Sequence, residues 1–317
     1  MAMTLFDRFF AKAPSRILEV LDQKYSLSIS DPQFSPDGKF LACEYSIDPE
    51  SFSSRTPVVR VWETTSWTQC HDKGASGIGA LTMVFSPDSR ILVKANAGYG
   101  LYLVDTTSWT QRYISERDLG LPDECRLGGL QLEPHFFSSE GSRFVMHAYD
   151  HSSPFAAILD VKSWRMIGQT PRRVAAICFS RDDALLLASD WNDNHRAVAY
   201  DAWTGRKIRV LDDAELNTLA PEGHYFGAKD LPIGWNARAL EGIRGRRVSC
   251  YSPLHRCLIE AVVQDGRLSL CDPRTGKRLM LLSHASSFDG SVAVYGELQY
   301  VATAVGFGSN NVAVWSR

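Results

Sequence analysis

The sequence lacks any apolar run of the roughly 20 residues that a transmembrane helix needs, so no membrane span is predicted. Its N-terminal stretch, MAMTLFDRFFAKAP, has Asp7 and Arg8 inside its most hydrophobic part and is a poor secretory signal. Strong charge is also missing, because the formal net charge is −2 over 317 residues. Proteins with a general nucleic-acid footprint are strongly basic. We therefore expect a soluble globular protein with no nucleic-acid partner.

Paired cysteines and catalytic motifs are absent as well. The seven cysteines are odd in number, and none form a Cys-x-x-Cys pair. Scattered thiols of this kind are typical of reduced proteins, which predicts a cytoplasmic location and leaves the nucleus open. The sequence contains no Gly-x-Ser-x-Gly, His-Glu-x-x-His, phosphate-binding glycine loop or EF-hand loop. No cofactor and no metal site are predicted.

What the chain does contain is a turn motif that returns along its length. The motif FSPDG at 34–38 joins two alternating apolar runs, where proline presets φ and Asp-Gly tolerates a tight turn between two strands. It recurs as FSPDS at 85–89, FSSEG at 137–141, FSRDD at 179–183, LAPEG at 219–223, YSPLH at 251–255 and VYGEL at 294–298. The third residues of the seven copies are at 36, 87, 139, 181, 221, 253 and 296. Seven copies predict seven similar units.

A second marker has the same phase. It reads ETTSW at 63–67, DTTSW at 105–109, DVKSW at 160–164, DAWTG at 201–205 and DPRTG at 272–276. Because an alternating segment precedes each copy, every unit reads as strand, turn, strand, loop, strand, turn and strand. Four antiparallel strands in a period of about 40–45 residues are typical of a β-propeller blade. The sequence thus predicts an all-β, seven-bladed β-propeller with four-stranded antiparallel blades.

The turns, the Val61-Trp62 and Val314-Trp315 pairs in third strands, and Ser283-His284 carry a family resemblance. Over residues 30–317 the chain resembles the WD-repeat family of β-propellers, which often has Gly-His where Ser283-His284 stands. No third strand ends in the Trp-Asp dipeptide of that family. The resemblance implies a non-enzymatic scaffold that binds protein or peptide partners.

The two ends of the chain are predicted to differ from the repeats. Residues 1–16 form an N-terminal helical segment, because Leu5, Phe6, Phe9 and Phe10 recur at helical spacing, and residues 17–317 form the propeller. The seventh blade lacks an outer strand, and the resemblance implies that a strand from 17–29 fills the gap and closes the ring. Insertions are predicted at 47–57 and 115–129, and a short fifth blade follows Pro221.

Candidate binding residues occupy loops that share one face of the predicted propeller. Loops between second and third strands, and links between blades, open on the same face. On blades 3 to 5 they carry Asp150, His151, Arg172, Arg173, Asp190, Trp191, Asp193, His195, Asp230 and Trp235. Aromatic side chains with convergent polar groups are typical of ligand sites and interface hot spots.

Other interpretations of these loops stay open. Exposed loops are polar in any protein, and Asp and Asn favour turns. A small-molecule site or an enzyme is a further alternative, with His151, His195 and Asp190 in acid–base or metal chemistry. Arg172 and Arg173 either receive a phosphate, an acidic peptide or a lipid head group, or pair with Asp212, Asp213 and Glu215. The tryptophans of the Ser-Trp turns, Trp67, Trp109 and Trp164, lie on the opposite face and are predicted to pack in the blades instead of forming a stacking platform for bases.

Overall fold

The computed structural model describes most of the chain as β-structure. The described residues are 15–19, 29–47, 56–74, 81–96, 100–127, 136–151, 153–193, 196–219, 246–252, 257–264, 267–271, 278–282, 288–295, 300–305 and 311–316. Within these ranges the protein is all-β, with 24 strands in six four-stranded antiparallel sheets and one α-helix, α1 (Asp213–Leu219). The chain divides into two compact units, one formed by 1–74 with 236–317 and the other by 75–235.

The first unit contains three sheets. Their strands, in sheet order, are β2 (Ile29–Phe34), β3 (Phe40–Ile47), β4 (Thr56–Glu63) and β5 (Gln69–Gly74); β18 (Arg246–Ser252), β19 (Cys257–Gln264), β20 (Arg267–Cys271) and β21 (Arg278–Leu282); and β1 (Arg16–Glu19), β24 (Asn311–Ser316), β23 (Tyr300–Val305) and β22 (Phe288–Tyr295).

The second unit also contains three sheets, each built from consecutive strands. They are β6 (Leu81–Phe85), β7 (Ile91–Asn96), β8 (Leu101–Asp105) and β9 (Gln111–Ile114); β10 (Cys125–Leu127), β11 (Arg143–Asp150), β12 (Ser153–Asp160) and β13 (Arg165–Gln169); and β14 (Val174–Phe179), β15 (Leu185–Asp190), β16 (Arg196–Asp201) and β17 (Lys207–Val210). The six sheets match six of the seven predicted units. The unit at Pro221 lies mostly outside the described residues, and the segment before its turn, predicted as a strand, is the helix α1 up to Leu219.

The first turn motif forms hairpins through its serine and aspartate. Ser35 Oγ donates to Asp37 Oδ1 over 2.7 Å and accepts from the Phe40 amide over 3.0 Å. Ser86 and Asp88 repeat this arrangement, as do Ser180 and Asp182. The pair satisfies backbone amides that the tight turn leaves without a strand partner. The prediction of a hairpin is confirmed at these copies.

The second marker forms the turn between third and fourth strands. Asp105 Oδ1 accepts from the amides of Thr107 and Ser108, and the Trp109 amide donates to the Asp105 carbonyl over 2.8 Å. Trp109 adopts φ 56°, a left-handed conformation repeated at Trp67, Trp164 and Gly205. Thr106 Oγ1 donates to the carbonyl of Ser89 in the first turn. Both turn motifs therefore lie at the same end of this sheet, opposite the loop between second and third strands.

Trp164 confirms the predicted packing role of these tryptophans. Its side chain is buried, and its ring centroid lies 6.5 Å from that of Phe137 and 5.8 Å from that of Phe144. Trp67 is partly buried and packs against the core of the first unit.

The predicted insertion at 115–129 contains part of a sheet, which corrects the sequence interpretation. Strand β10 lies within it and pairs with β11, with Cys125 opposite Asp150. The turn before β10 also contacts β13, at the other edge of the same sheet, because the Met166 amide donates to the Leu119 carbonyl over 2.7 Å. A strand of three residues is too short to produce a visible alternation.

The N-terminal strand pairs as the sequence predicted. Strand β1 is antiparallel to β24, with Ile17 opposite Ala313 and Leu18 opposite Val312. Leu18 is buried among the core residues of the first unit, whereas Ile17 is exposed. The predicted helical segment, 1–16, is corrected at its end, because Arg16 already belongs to β1. Residues 1–14 of that segment and 20–28 of the predicted strand lie outside the described residues.

Candidate functional site

Asp150 and His151 lie at the tight connection between β11 and β12. Asp150 is opposite Ser153 in the strand register, so two residues join the strands. Two-residue hairpins need positive φ in their central residues, and His151 adopts φ 55°. The hairpin therefore holds the exposed His151 at a fixed position beside the carboxylate of Asp150, the last residue of β11.

Asp150 bridges the side chains of His151 and Arg172. His151 Nδ1 lies 2.7 Å from Asp150 Oδ1, and Arg172 Nε donates to Asp150 Oδ2 over 2.9 Å. Hydrogen bonds from His151 and Arg172 hold the pKa of Asp150 below its usual range. The same carboxylate raises the pKa of His151 by stabilising the imidazolium. Asp150 therefore orients the imidazole ring of His151 and favours its charged form.

Arg172 and Arg173 form the link between β13 and β14, and their backbone is held from both sides. The Arg173 amide donates to the Pro154 carbonyl over 2.6 Å, and Arg173 adopts φ 68°. The guanidinium carbon of Arg172 lies 4.3 Å from the centroid of the Phe155 ring. This cation–π contact and the bond to Asp150 fix the plane of the Arg172 side chain.

Asp190 lies at the end of β15 and is buried. Its carboxylate accepts from Tyr200 Oη over 2.8 Å, from the Asn192 amide over 2.8 Å and from Lys207 Nζ over 3.1 Å. Burial raises the pKa of Asp190, but these donors together outweigh burial and hold the pKa below its usual value. A buried carboxylate with this many donors supports the loop and has little capacity left for a substrate.

The two loops and the link are joined by direct hydrogen bonds. The Trp191 amide donates to the Arg173 carbonyl over 2.9 Å, and Asn192 Nδ2 donates to the Arg172 carbonyl over 2.9 Å. Trp191 begins a 3₁₀ turn, Trp191–Asp193, none of whose residues is buried. We call the resulting surface the loop patch; it consists of Asp150, His151, Arg172, Arg173, Trp191 and Asn192.

The structure brings together part of the predicted site. Asp150, His151 and Arg172 touch directly, and Trp191 lies beside the link that carries Arg172 and Arg173. Asp190 supports this loop from below the surface, and Asp193 pairs with Lys207. The other predicted residues, His195, Asp230 and Trp235, lie outside the described residues.

The expected partner of the link arginines is corrected. Arg172 pairs with Asp150 instead of Asp212, Asp213 or Glu215. Glu215 accepts a hydrogen bond from Arg209 of β17. The β11–β12 hairpin ends next to the following link, so Asp150 is nearer than the acidic residues one sheet further on.

Three residues of this region were missed by the sequence analysis: Asn192, Tyr200 and Lys207. Lys207 reaches Asp190 across β16, because β17 is the neighbour of β16 in the sheet. A similar crossing occurs in the first unit, where Asp72 of β5 accepts from Tyr45 of β3 over 2.6 Å. Such networks could have been predicted from polar residues that occur together on the second, third and fourth strands of one four-stranded sheet.

Among the residues that the structure describes, no group of three or more His, Cys, Asp or Glu side chains is arranged to hold a metal ion. No helix within the same ranges is long and apolar enough to cross a membrane. Comparisons with protein-family models and with curated proteins find no match to this chain. The function is therefore inferred from the geometry of the loop patch.

Proposed function

We propose that the six sheets are blades of a seven-bladed β-propeller of the WD-repeat kind. The repeated turn chemistry supports this architecture, as does the four-stranded antiparallel order of every described sheet. The seventh blade is assigned to the repeat unit at Pro221. Ring closure is assigned to β1, whose pairing with β24 supplies the outer strand of the last sheet.

We infer that the protein is a non-enzymatic scaffold that binds a protein or peptide partner through the loop patch. The observation that carries this proposal is that Arg172, in the β13–β14 link, contacts both neighbouring loops. Its side chain donates to Asp150 of the β11–β12 hairpin, and its carbonyl accepts from Asn192 of the 3₁₀ turn. Residues from three segments thus form one hydrogen-bonded surface with charged side chains and a tryptophan that is only half-buried. Tryptophan and arginine are enriched among interface hot spots.

The enzymatic alternative, with His151, His195 and Asp190, is less well supported. A general base needs an available lone pair near the operating pH. Asp190 is buried and engaged by several donors, and Asp150 stabilises the charged form of His151. Asp190 is therefore not available as an acid or a base, and within the described residues no nucleophile of the protein is bonded to His151 Nε2.

A cytoplasmic location belongs to the same proposal. Cys43, Cys125 and Cys178 are buried free thiols, and burial raises the pKa of Cys125. Unpaired core cysteines are typical of proteins in reducing compartments.

Site-specific photo-crosslinking tests the proposed function. A benzoylphenylalanine replaces Trp191 in the loop patch, and a control variant carries it at Trp203, which is 52% exposed in the third-to-fourth-strand turn of the same sheet. After irradiation in extract of the native cell, we expect a defined protein adduct from position 191 and none from position 203. Equal adducts from both positions, or none from either, would contradict the proposal. A metabolite that raises the melting temperature of the pure protein would instead favour the small-molecule alternative.

A further inference from the structure

Among the described residues, the side chains of His151 and Arg172 form hydrogen bonds only through His151 Nδ1 and Arg172 Nε. Both of these nitrogen atoms bond to Asp150. In the part of the chain that the structure describes, His151 Nε2 and the terminal amino groups of Arg172 have no hydrogen-bond partner. The side chain of His151 is 80% exposed and that of Arg172 is 35% exposed. The patch therefore presents free donors on two oriented cations.

These donors are held in place before any ligand binds. Arg172 is fixed by Asp150 and by the Phe155 ring. The backbone at Arg173 is fixed by Pro154 and Trp191. Rigid donors lose little conformational entropy on binding, which favours affinity. A guanidinium with both terminal groups available matches the two oxygens of a carboxylate.

The charge balance of the patch favours an anion. In the described part of the chain, the positive charges of Arg172, Arg173 and the His151 imidazolium are opposed by two surface carboxylates, Asp150 and Glu124. Asp190 is buried, and Asp193 is paired with Lys207. Glu124, which precedes β10, is the further acidic group that acts on His151, and the nearby Arg126 of β10 is paired with Glu116. Protonated His151 thus leaves a positive surface.

We propose that the loop patch binds a side-chain carboxylate in an acidic segment of the partner protein. The terminal amino groups of Arg172 donate to the two oxygens of this carboxylate, and His151 Nε2 donates to the same or the adjacent acidic residue. This inference rests on the proposed function and specifies the chemistry of the partner.

A dependence on pH follows from the contribution of His151. Asp150 raises the pKa of His151 above its ordinary value of 6.5, so the imidazolium is present below the raised pKa. Binding should weaken as pH rises through that pKa, because the patch then loses a donor proton and a positive charge. Added salt should also weaken binding, since the charges are exposed.

Titration with short blocked peptides tests the proposal. The probes are acetyl-Gly-Glu-Glu-Glu-Gly-amide and the same peptide with glutamine in place of glutamate, followed by the imidazole NMR signals of the full chain. The His151 signal is assigned by its loss in His151→Gln. We expect the glutamate peptide to shift the His151 signal and raise its titration midpoint, and the glutamine peptide to do neither. The titration itself uses the native chain, and a melting curve checks that His151→Gln, which serves only for the assignment, is folded.

Matched variants separate the shape of Arg172 from its charge. Arg172→Lys keeps the positive charge and a contact to Asp150 but loses the planar fork, so we expect about tenfold weaker binding of the glutamate peptide. Arg206→Gln, at an exposed position next to a third-to-fourth-strand turn, removes a positive charge elsewhere in the unit and should leave binding unchanged. Melting curves check that each variant is folded.

The outcomes distinguish this inference from the proposed function. Equal binding of the two peptides, unchanged binding by Arg172→Lys, or binding of a phosphoserine peptide without binding of the glutamate peptide would overturn the carboxylate assignment. If the adduct from position 191 persists in Arg172→Lys while the glutamate peptide fails to bind, the scaffold function stands and the carboxylate inference falls. Loss of both the adduct and peptide binding in Arg172→Lys supports the two together.

Discussion

At the scale of single residues, Asp190 shows how a predicted site residue can support a surface without belonging to it. Its carboxylate accepts hydrogen bonds from the buried Tyr200 hydroxyl and from the amide of Asn192, the second residue of the 3₁₀ turn. Asp190→Ala should lower the free energy of unfolding by about 1–3 kcal/mol, because a buried donor loses its acceptor. Asp193→Ala is the matched control and should cost less than about 1 kcal/mol, since its pair with Lys207 is partly exposed. Urea unfolding at pH 7 measures both, and equal losses would show that the Tyr200 contact contributes little.

The same carboxylate gives a prediction for pH. The pKa of Asp190 is lower in the folded protein than its ordinary value of 3.8, so its contribution to stability is present above the unfolded pKa and is lost as pH falls through the folded pKa. Wild-type protein should therefore lose stability below about pH 4, and Asp190→Asn should lose less over the same range. Urea midpoints measured between pH 5 and pH 2.5 make the comparison. Parallel acid profiles for the two proteins would show that other carboxylates determine the acid sensitivity.

At the scale of elements, the third-to-fourth-strand turn at Gly205 packs against the preceding sheet of its unit. Gly205 has φ 70°, and a Cβ there would overlap the backbone of Gln169 at the end of β13. Gly141 has a similar φ of 74°, but a Cβ there would lie 3.5 Å from the Pro87 ring, an ordinary contact. Gly141→Ala should cost about 1–2 kcal/mol through its left-handed backbone alone. Gly205→Ala should cost clearly more, measured as the difference in urea unfolding free energy, and a smaller or equal loss would contradict this packing.

The elements also show what sequence reasoning could and could not predict. The serine and aspartate of the FSPDG motif determine their hairpin through bonds within a few residues, so the turns at 36, 87 and 181 were predictable. Arg172 is different, because its partner Asp150 lies 22 residues away and competes with other acidic residues that a pattern cannot rank. The three residues of β10 carry too little periodicity to be separated from an insertion. Hydrogen bonds within a few residues could be predicted from the sequence, whereas the ion-pair partner of Arg172 depends on the tertiary structure.

At the scale of the whole molecule, the start of the chain is joined to its end inside the first unit. The Ser15 amide donates to the Val314 carbonyl over 2.8 Å, and the Ser316 amide donates to Ser15 Oγ over 2.9 Å. Strand β1 continues this pairing and covers the edge of β24, which would otherwise expose unpaired backbone groups. The pairing gives residues 15–19 a structural role.

Two neighbouring residues of β1 provide a matched test of this role. Leu18 is 7% exposed and packs in the core with Val312 and Val314, whereas Ile17 is 58% exposed. Leu18→Ala should lower the unfolding free energy by about 2–5 kcal/mol, because it removes buried methyl groups and leaves a cavity. Ile17→Ala, on the opposite face of the strand, should change it by less than about 0.5 kcal/mol.

Truncation extends the test from one side chain to the entire strand. Removing residues 1–14 keeps β1 and should leave the melting temperature nearly unchanged. Removing 1–19 deletes β1, exposes the edge of β24 and uncovers Val312 and Val314, so the melting temperature should fall and aggregation should increase. If the two truncations melt together, and Leu18→Ala is as mild as Ile17→Ala, then β1 is not the strand that stabilises the end of the chain.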